Sequence, residues 1–398
     1  MPRLAVAAAW IVLACTGQAS RSVPPKLPQG PEMPKPTASS GGADACQVKE
    51  LRKSAIQGLR RISPDGTRFL VNKEDEAGIA QVYVGTSRGS GLTCITCVHR
   101  PGGPKAERFK MQPHWHPSGQ WIVLAAERDE YSPPPILRWS KDYVEGQLQN
   151  GIWMDMYAVS PDGSKWHELV DFPGVNGEPG GYTGPVFTPD GERAVWSQIV
   201  SGNVVRYRPF GRWELIMADF DVKDGVPRWS NLRDITPAGM HWNEPGGFGP
   251  DNVSLLFSGS VEKNARGMDQ YILNIDTGEL KNLTRTPSVW DEHGALSPDG
   301  KKIIFMSAHP YRADPRSSTV LSIRTEFMLM NRDGSGLIQL THFREPGYPE
   351  YSRRGGIAAN AVWSPDGRSA NLLRYFFPNL EYWDVVFEGP CGNGAADR

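Results

Sequence analysis

The stretch Leu296-Ser297-Pro298-Asp299-Gly300 decides the fold, because it belongs to a phrase that the sequence repeats. The phrase has five positions. An apolar or aromatic residue comes first, then usually a small polar residue, then Pro, then Asp or Ser, and finally Gly. The proline presets φ at the first corner of a tight turn, the aspartate bonds nearby backbone, and the glycine takes the left-handed position. Six copies lie about fifty to seventy residues apart, and they start at Ile62, Trp115, Phe187, Phe248, Leu296 and Trp363.

Strand-like segments surround each turn in the same order. After the fifth turn come Lys302–Ser307, Glu326–Met330 and Leu337–Thr341, which are predicted to be the second, third and fourth strands of a repeat. The last segment ends in a Leu-Thr or Ile-Thr pair that recurs in most repeats. Four short strands repeated six times predict a radial β-propeller rather than a sandwich. The similar phrase at Ser160–Gly163 follows a third strand, so it is predicted to be the third-to-fourth turn of the second blade.

This pattern resembles the PD40, or WD40-like, repeat of TolB-type propellers. The resemblance extends over residues 46–390 and implies an all-β fold, a six-bladed β-propeller of four-stranded antiparallel blades. It implies little about activity, because this scaffold hosts many functions. TolB itself carries a separate domain before its propeller, where this sequence has a linker, so the role of TolB in the Tol–Pal system is not carried over.

Composition narrows the choice of partner. The 398 residues carry a formal net charge of -1, so there is no basic excess that would call for nucleic acid. The expected partner is therefore an envelope protein or a carbohydrate-like ligand, and the protein itself is expected to be a monomer. Many glycines and prolines (43 and 34) together with 13 Trp, 12 Tyr and 14 Phe favour an all-β fold with many turns.

The N-terminal residues predict an exported protein. A signal peptide is expected over residues 1–19, since Arg3 precedes the apolar run Leu4–Ala14, and a Pro/Ser/Gly-rich linker over residues 20–45. Val12–Cys15 resembles a bacterial lipobox, which would leave Cys15 lipidated; alternatively, Gly17–Ala19 suits ordinary signal peptidase. The protein would then be periplasmic or secreted, and any attachment to the membrane would be through that lipid anchor.

The ends of the propeller are predicted to close on each other. The last repeat ends near Phe387 with its third strand, and Gln47–Arg52 looks like a fourth strand without a blade, so this N-terminal strand should complete blade six. An even number of cysteines remains after Cys15, which suggests two disulfides in an oxidising compartment. The closure brings Cys46 beside Cys391, at the start of a tail over residues 391–398.

The Cys94-x-x-Cys97 pair is expected to form the second disulfide. Zinc would need a second matching pair of cysteines, and thioredoxin chemistry would need a βαβ context. The sequence provides neither, so a local structural bond is the prediction.

Uneven loop lengths predict the position of a site. The long segments are second-to-third and fourth-to-first connections, which share one face of a propeller, whereas the short turns share the other face. Binding residues concentrate on loops held by a rigid scaffold, so a site is expected at the channel mouth on the long-loop face. The long segments are 127–152, 200–212, 308–324 and 342–359.

Polar residues at the starts of the innermost strands, together with one at the end of a second strand, are the candidate ligand-binding residues. These are Gln112, His114, Glu244, Asp291, Glu292, His293, His309 and Asn360. His293, Glu244, His309 and His114 could hold a divalent metal, but a polar, water-filled channel without chemistry is the favoured interpretation, so no cofactor is predicted.

Two functions from different classes remain. The first is a non-catalytic binding or scaffolding protein of the bacterial cell envelope, which could equally be a sensor or accessory domain. The alternative is a metal-dependent lyase or hydrolase with its site in the channel mouth. Oligogalacturonate lyases use related propeller repeats with a His-bound metal, although their ligand spacing is not recognisable here. A nucleophilic triad is not expected, because the sequence has no Gly-x-Ser-x-Gly elbow.

Overall fold

The computed structural model describes residues 46–87, 91–129, 148–172, 174, 180–201, 211–261, 267–318, 322–376, 379–388 and 391. The predicted signal peptide with Cys15, the linker, and the tail after Cys391 lie outside these ranges, as do parts of the long segments 127–152 and 200–212. Within these ranges, no helix combines the length and apolar character needed to cross a membrane.

The described chain forms six antiparallel sheets of four strands each. It begins with β1 (Gln47–Lys53). The first blade comprises β2 (Arg61–Ile62), β3 (Arg68–Glu74), β4 (Ala80–Thr86) and β5 (Leu92–Cys94). The second comprises β6 (Lys110–Trp115), β7 (Ile122–Glu127), β8 (Met154–Val159) and β9 (Trp166–Val170). The third comprises β10 (Tyr182–Phe187), β11 (Arg193–Ser201), β12 (Arg212–Lys223) and β13 (Val226–Asp234).

The remaining blades follow the same plan. The fourth comprises β14 (Trp242–Phe248), β15 (Ser254–Ser260), β16 (Asp269–Asn274) and β17 (Leu280–Asn282). The fifth comprises β18 (Asp291–Leu296), β19 (Lys302–Ser307), β20 (Glu326–Asn331) and β21 (Ile338–Gln339), with two short 3-10 helices, His309–Tyr311 and Pro315–Ser318, between β19 and β20. The sixth comprises β22 (Ile357–Trp363), β23 (Ser369–Phe376) and β24 (Asn379–Glu388), and β1 is its outer strand. The predicted six-bladed all-β propeller is confirmed.

The repeated turn holds itself together with short-range hydrogen bonds. In the fifth blade, the Ser297 hydroxyl donates to the Asp299 carboxylate at 2.7 Å, and that carboxylate accepts the Lys301 amide at 3.0 Å. The Gly300 amide donates to the Ser297 carbonyl at 2.8 Å, and Gly300 has a φ of 69°. The phrase at Ser160–Gly163 joins β8 to β9, as predicted.

The recurring Thr at the end of the fourth segment has a structural role. Its hydroxyl accepts a hydrogen bond from a backbone amide near the start of the third strand in the same blade, which ties the outer strand to its neighbour. The pairs are Thr96 with Val82, Thr236 with Leu215, Thr284 with Gln270 and Thr341 with Phe327, at 2.8 to 3.1 Å.

The core lies between the blades. The second strands are covered on both faces by neighbouring sheets, so β7 and β15 are buried along their whole length. This packing explains why these segments are nearly continuous apolar runs, such as Ile122–Ala126, instead of alternating patterns.

The ring closes as the sequence predicts. Strand β1 pairs antiparallel with β24, from Gln47 opposite Glu388 to Lys53 opposite Trp383. The predicted disulfide joins Cys46 to Cys391, with their Cα atoms 5.2 Å apart. Strand β24 is therefore paired on both sides, and the segment that leads into the first blade is tied to the last one.

The second predicted disulfide, Cys94–Cys97, is also present, with a Cα–Cα distance of 5.7 Å. Strand β5 ends at Cys94, and the following residues bend, which brings the two side chains together.

Removing the Cys46–Cys391 disulfide by a double Cys→Ser substitution is expected to lower the free energy of unfolding by about 5 to 6 kcal/mol, because the bond closes a very long loop in the unfolded chain. Denaturant unfolding of the oxidised protein measures this. The matched control replaces Cys94 and Cys97, whose short loop corresponds to about 2 kcal/mol. Equal losses from the two variants would contradict the chain-closure explanation.

Candidate functional site

The innermost strands share a bulge at one level of the channel. In five blades, the register between the first and second strands slips at this level, for example between Glu292 and Ala295 in β18. Two residues in these bulges, Gln112 and His293, have left-handed φ values of 50° and 52°. Bulges redirect side chains, and left-handed φ at non-glycine residues is found at functional sites more often than elsewhere.

Two acidic residues occupy equivalent positions, just ahead of the bulge, on the innermost strands of neighbouring blades. Glu244 lies opposite Ser258 in the fourth blade, and Glu292 lies opposite Met306 in the fifth. Both positions lie just ahead of the bulge, so the two carboxylates are at the same level on neighbouring innermost strands. Both lie near the start of their strands, which is the long-loop end of the channel.

His293 completes this group, which we call the acidic cluster (Glu244, Glu292 and His293). One ligand atom from each of the three residues lies within 4.8 Å of the other two. The His293 Nε2 atom is 3.4 Å from a Glu244 carboxylate oxygen, and both side chains are about one fifth exposed (21% and 20%). The cluster is therefore accessible from the channel.

Charges within the cluster fix its protonation. Burial raises the pKa of Glu292, against the effect of the His293 charge, and the Trp290 indole donates to this carboxylate at 2.7 Å. Burial by itself would lower the pKa of His293, but the charges of Glu244 and Glu292 outweigh it and raise that pKa to about 9. At neutral pH the imidazole is thus a cation next to two acidic groups. Burial raises the pKa of Tyr375, and the nearby charges of Glu244 and Glu292 raise it further.

His114 and Gln112 lie in the second blade, apart from the acidic cluster. The Gln112 amide donates to the Gln149 carbonyl at 2.8 Å, and its oxygen accepts the Gly184 amide. Burial, followed by the charge of Arg61, holds the pKa of His114 well below its ordinary value, so the imidazole is neutral. His114 does not join the cluster's group of ligand atoms.

Asp291, although adjacent to Glu292, is enclosed in a separate network. It is fully buried and accepts hydrogen bonds from the Ser307 hydroxyl and, at 2.6 Å, from the Thr286 hydroxyl. Burial raises the pKa of Asp291 to about 7 despite these bonds. The network joins neighbouring strands, and Asp291 is not among the clustered ligand atoms.

His309 also lies outside the cluster's group of ligand atoms. His309 begins the first 3-10 helix and is 2% exposed, and neither ring nitrogen has a hydrogen-bond partner within the described part of the chain. Burial, followed by the charge of Arg312, lowers the pKa of His309 to about 4. Asn360 is partly exposed at the bulge of β22. Of the four predicted metal-binding candidates, the structure brings together only His293 and Glu244.

The acidic cluster fits a divalent cation in its donor set. Two carboxylates and one imidazole supply oxygen and nitrogen ligands of the kind that zinc or manganese accepts. Three protein ligands leave positions for water or a ligand, so an ion held there would act as a Lewis acid on a bound oxygen. To bind it, His293 would have to lose its proton.

Fold and site together define a six-bladed β-propeller with a histidine–carboxylate cluster at the long-loop end of its channel. No protein-family profile matches this sequence, and no curated protein is similar to it. Similar solved structures include TolB from Acinetobacter baumannii, at 14% identity and a TM-score of 0.48 over 82% of this chain, and TolB from Agrobacterium tumefaciens, at 16% and 0.44 over 76%. The chain spans 65% of the length of the first and 88% of the second.

An oligogalacturonate lyase from Vibrio parahaemolyticus is also similar, at 10% identity and a TM-score of 0.46, covering 87% of this chain and 97% of the lyase. Identities this low show the fold alone. The residues of the acidic cluster therefore have to be interpreted from their own geometry.

Replacing Glu244 with glutamine is expected to lower the pKa of His293, because it removes the nearest carboxylate. The folded protein holds this proton more tightly than the unfolded chain, whose histidine has a pKa near 6.5. The free energy of unfolding of the wild type should therefore fall as the pH rises from about 6.5 to about 9, by about 1 to 3 kcal/mol from this group, and by less in E244Q.

Histidine side-chain NMR titration and denaturant unfolding at both ends of that pH range measure the two effects. The control is Glu279→Gln, which removes an exposed carboxylate between β16 and β17 and should leave His293 unchanged. A His293 pKa that is the same in E244Q and the wild type would refute the assigned pairing.

Proposed function

We propose that the chain is an exported TolB-like propeller that acts as a non-catalytic binding or scaffolding protein of the bacterial cell envelope. Its ligand or partner, an envelope protein or a carbohydrate-like molecule, binds on the long-loop face at the channel mouth. The observation that carries the proposal is the position of the acidic cluster, at the end of the channel where the long connections converge.

The two faces of the propeller differ in the length of their connections, and the face with long connections is suited to binding. Connections 308–325 and 340–356 lie between strands at the same end of the blades as the acidic cluster. The opposite face has the six Pro-containing turns, which are short and bonded internally, as in Ser63–Thr67. Variable loops on a rigid scaffold are the usual place for recognition.

The protonation of His293 argues against a general-base role for this residue and is compatible with ligand binding. A general base works best when its pKa lies near the operating pH, so that the unprotonated form is available. With a pKa of about 9, His293 is a fixed cation at neutral pH, paired with Glu244. Such a pair positions hydrogen-bond donors and acceptors for a polar ligand.

Site-specific photo-crosslinking tests which face binds the partner. A benzophenone amino acid at Tyr351, which is 40% exposed in connection 340–356, should give adducts with envelope components in cells that export the protein. The same amino acid at Thr67, an exposed position in a turn of the opposite face, is the matched control. Adducts from Thr67 and none from Tyr351 would contradict the proposal.

The alternative, a metal-dependent lyase or hydrolase, is favoured by one observation, the convergence of three ligand atoms in the acidic cluster. If a metal binds there, calorimetric titration with Mn²⁺ or Zn²⁺ should show one ion per chain in the wild type and at least tenfold weaker binding in a Glu244→Gln, Glu292→Gln double variant. Glu279→Gln should bind like the wild type. Metal-dependent cleavage of an oligosaccharide by the wild type would replace the non-catalytic proposal with the enzymatic one.

A further inference from the structure

Arg61, on the wall of the channel, is a cation without a partner among the residues that the structure describes. It lies on β2, the innermost strand of the first blade, and is partly exposed. Its carbonyl accepts the Trp115 indole at 3.0 Å, but its guanidinium makes no hydrogen bond or ion pair with any residue that the structure describes. Several other partly buried arginines are paired: Arg60 with Asp384, Arg108 with Glu127 and Arg193 with Asp276.

The surroundings of Arg61 make this lack of a partner costly. Burial lowers the pKa of Arg61 to about 10, so the side chain remains charged at neutral pH in a poorly solvated position. Removing a charge from water without a compensating partner is unfavourable. An anion that entered the channel would supply the missing partner.

A second donor lies beside Arg61. His114 occupies the same register position in the next blade, because Arg61 lies opposite Leu70 and His114 opposite Val123, each one residue before the apolar residue that starts the repeated phrase. The His114 ring also has no hydrogen-bond partner among the described residues. It packs against Gly184, where an added Cβ would lie 2.6 Å from Nε2, so the backbone there leaves room for the ring.

We propose that Arg61 and His114 form an oxyanion site in the channel, which takes a carboxylate or phosphate group of the ligand. The guanidinium offers a planar fork of N–H donors that matches either group, and a neutral imidazole adds one more donor. This inference rests on the proposed ligand-binding function and makes it more specific, since the ligand must be acidic.

The position of the oxyanion site also determines which end of the ligand lies deeper in the channel. His114 lies three residues beyond Met111, and Met111 corresponds in register to Glu292. The oxyanion site is therefore deeper in the channel than the acidic cluster, toward the face of short turns. The acidic group of the ligand enters first, and its less charged or cationic part lies near Glu244 and Glu292.

Titration of the purified mature protein with sodium succinate and with inorganic phosphate, in a chloride-free buffer, tests the site. Calorimetry should show a single site, and histidine NMR should show that the His114 resonances shift on binding. Arg61→Gln should weaken binding at least tenfold, Arg61→Lys less, and His114→Phe severalfold. Preference for succinate or phosphate identifies which oxyanion the site takes.

The control is Arg228→Gln, which removes a charge from an exposed ion pair on β13 and should bind like the wild type. Because Arg61 has no partner among the described residues, Arg61→Gln should unfold no more easily than the wild type, and the pKa of His114 should rise in that variant. Absence of binding by both anions, or equal binding by Arg61→Gln, would overturn the site. Neither result bears on the crosslinking at Tyr351, so failure of this inference is separable from failure of the proposed function.

Discussion

Pairing of β1 with β24 is the constraint on which the rest of the molecule depends. A ring of sheets has a central channel of defined width only when the last blade is complete, and here the outer strand of that blade comes from the other end of the described chain. The Cys46–Cys391 bond fixes the same junction covalently. Closure holds all six innermost strands parallel to one axis, so residues that are distant in sequence share a level in the channel.

That shared level produces both candidate sites. Equivalent register positions in blades four and five bring Glu244 beside Glu292, and equivalent positions in blades one and two bring Arg61 beside His114. The channel is consequently polarised. Acidic groups lie on one side near the mouth, and deeper on the other side lies Arg61, which has no partner in the described part of the chain. Low-dielectric walls focus such a field, which favours a ligand that has an acidic end.

The fold could be predicted from sequence because each repeated turn contains its own hydrogen bonds. Ser297, Asp299 and Gly300 form the turn without help from distant residues, so the phrase is recognisable wherever it occurs. The site depends instead on register. Glu244, Glu292 and His293 were predictable from their place at strand starts, but a strand sends successive side chains to opposite sides, and only the register decides that Asp291 is buried while His293 is redirected by the bulge. Arg61, Trp290 and Tyr375 were missed for this reason, although the place of Arg61 just before the first repeated phrase, matching that of His114, was an available signal.

The free-energy cost of the polar residues distinguishes the channel from the core and indicates that residues in the channel serve function. Away from the channel, the buried carboxylate of Glu326 is satisfied by Tyr311, Thr341 and the Phe343 amide. In the channel, a left-handed His293, two adjacent carboxylates and an Arg61 without a partner in the described ranges each carry a free-energy cost that apolar residues of similar size would avoid. The acidic cluster and Arg61 both depart from local rules on innermost strands, and such departures are expected where binding, rather than folding, determines the residues.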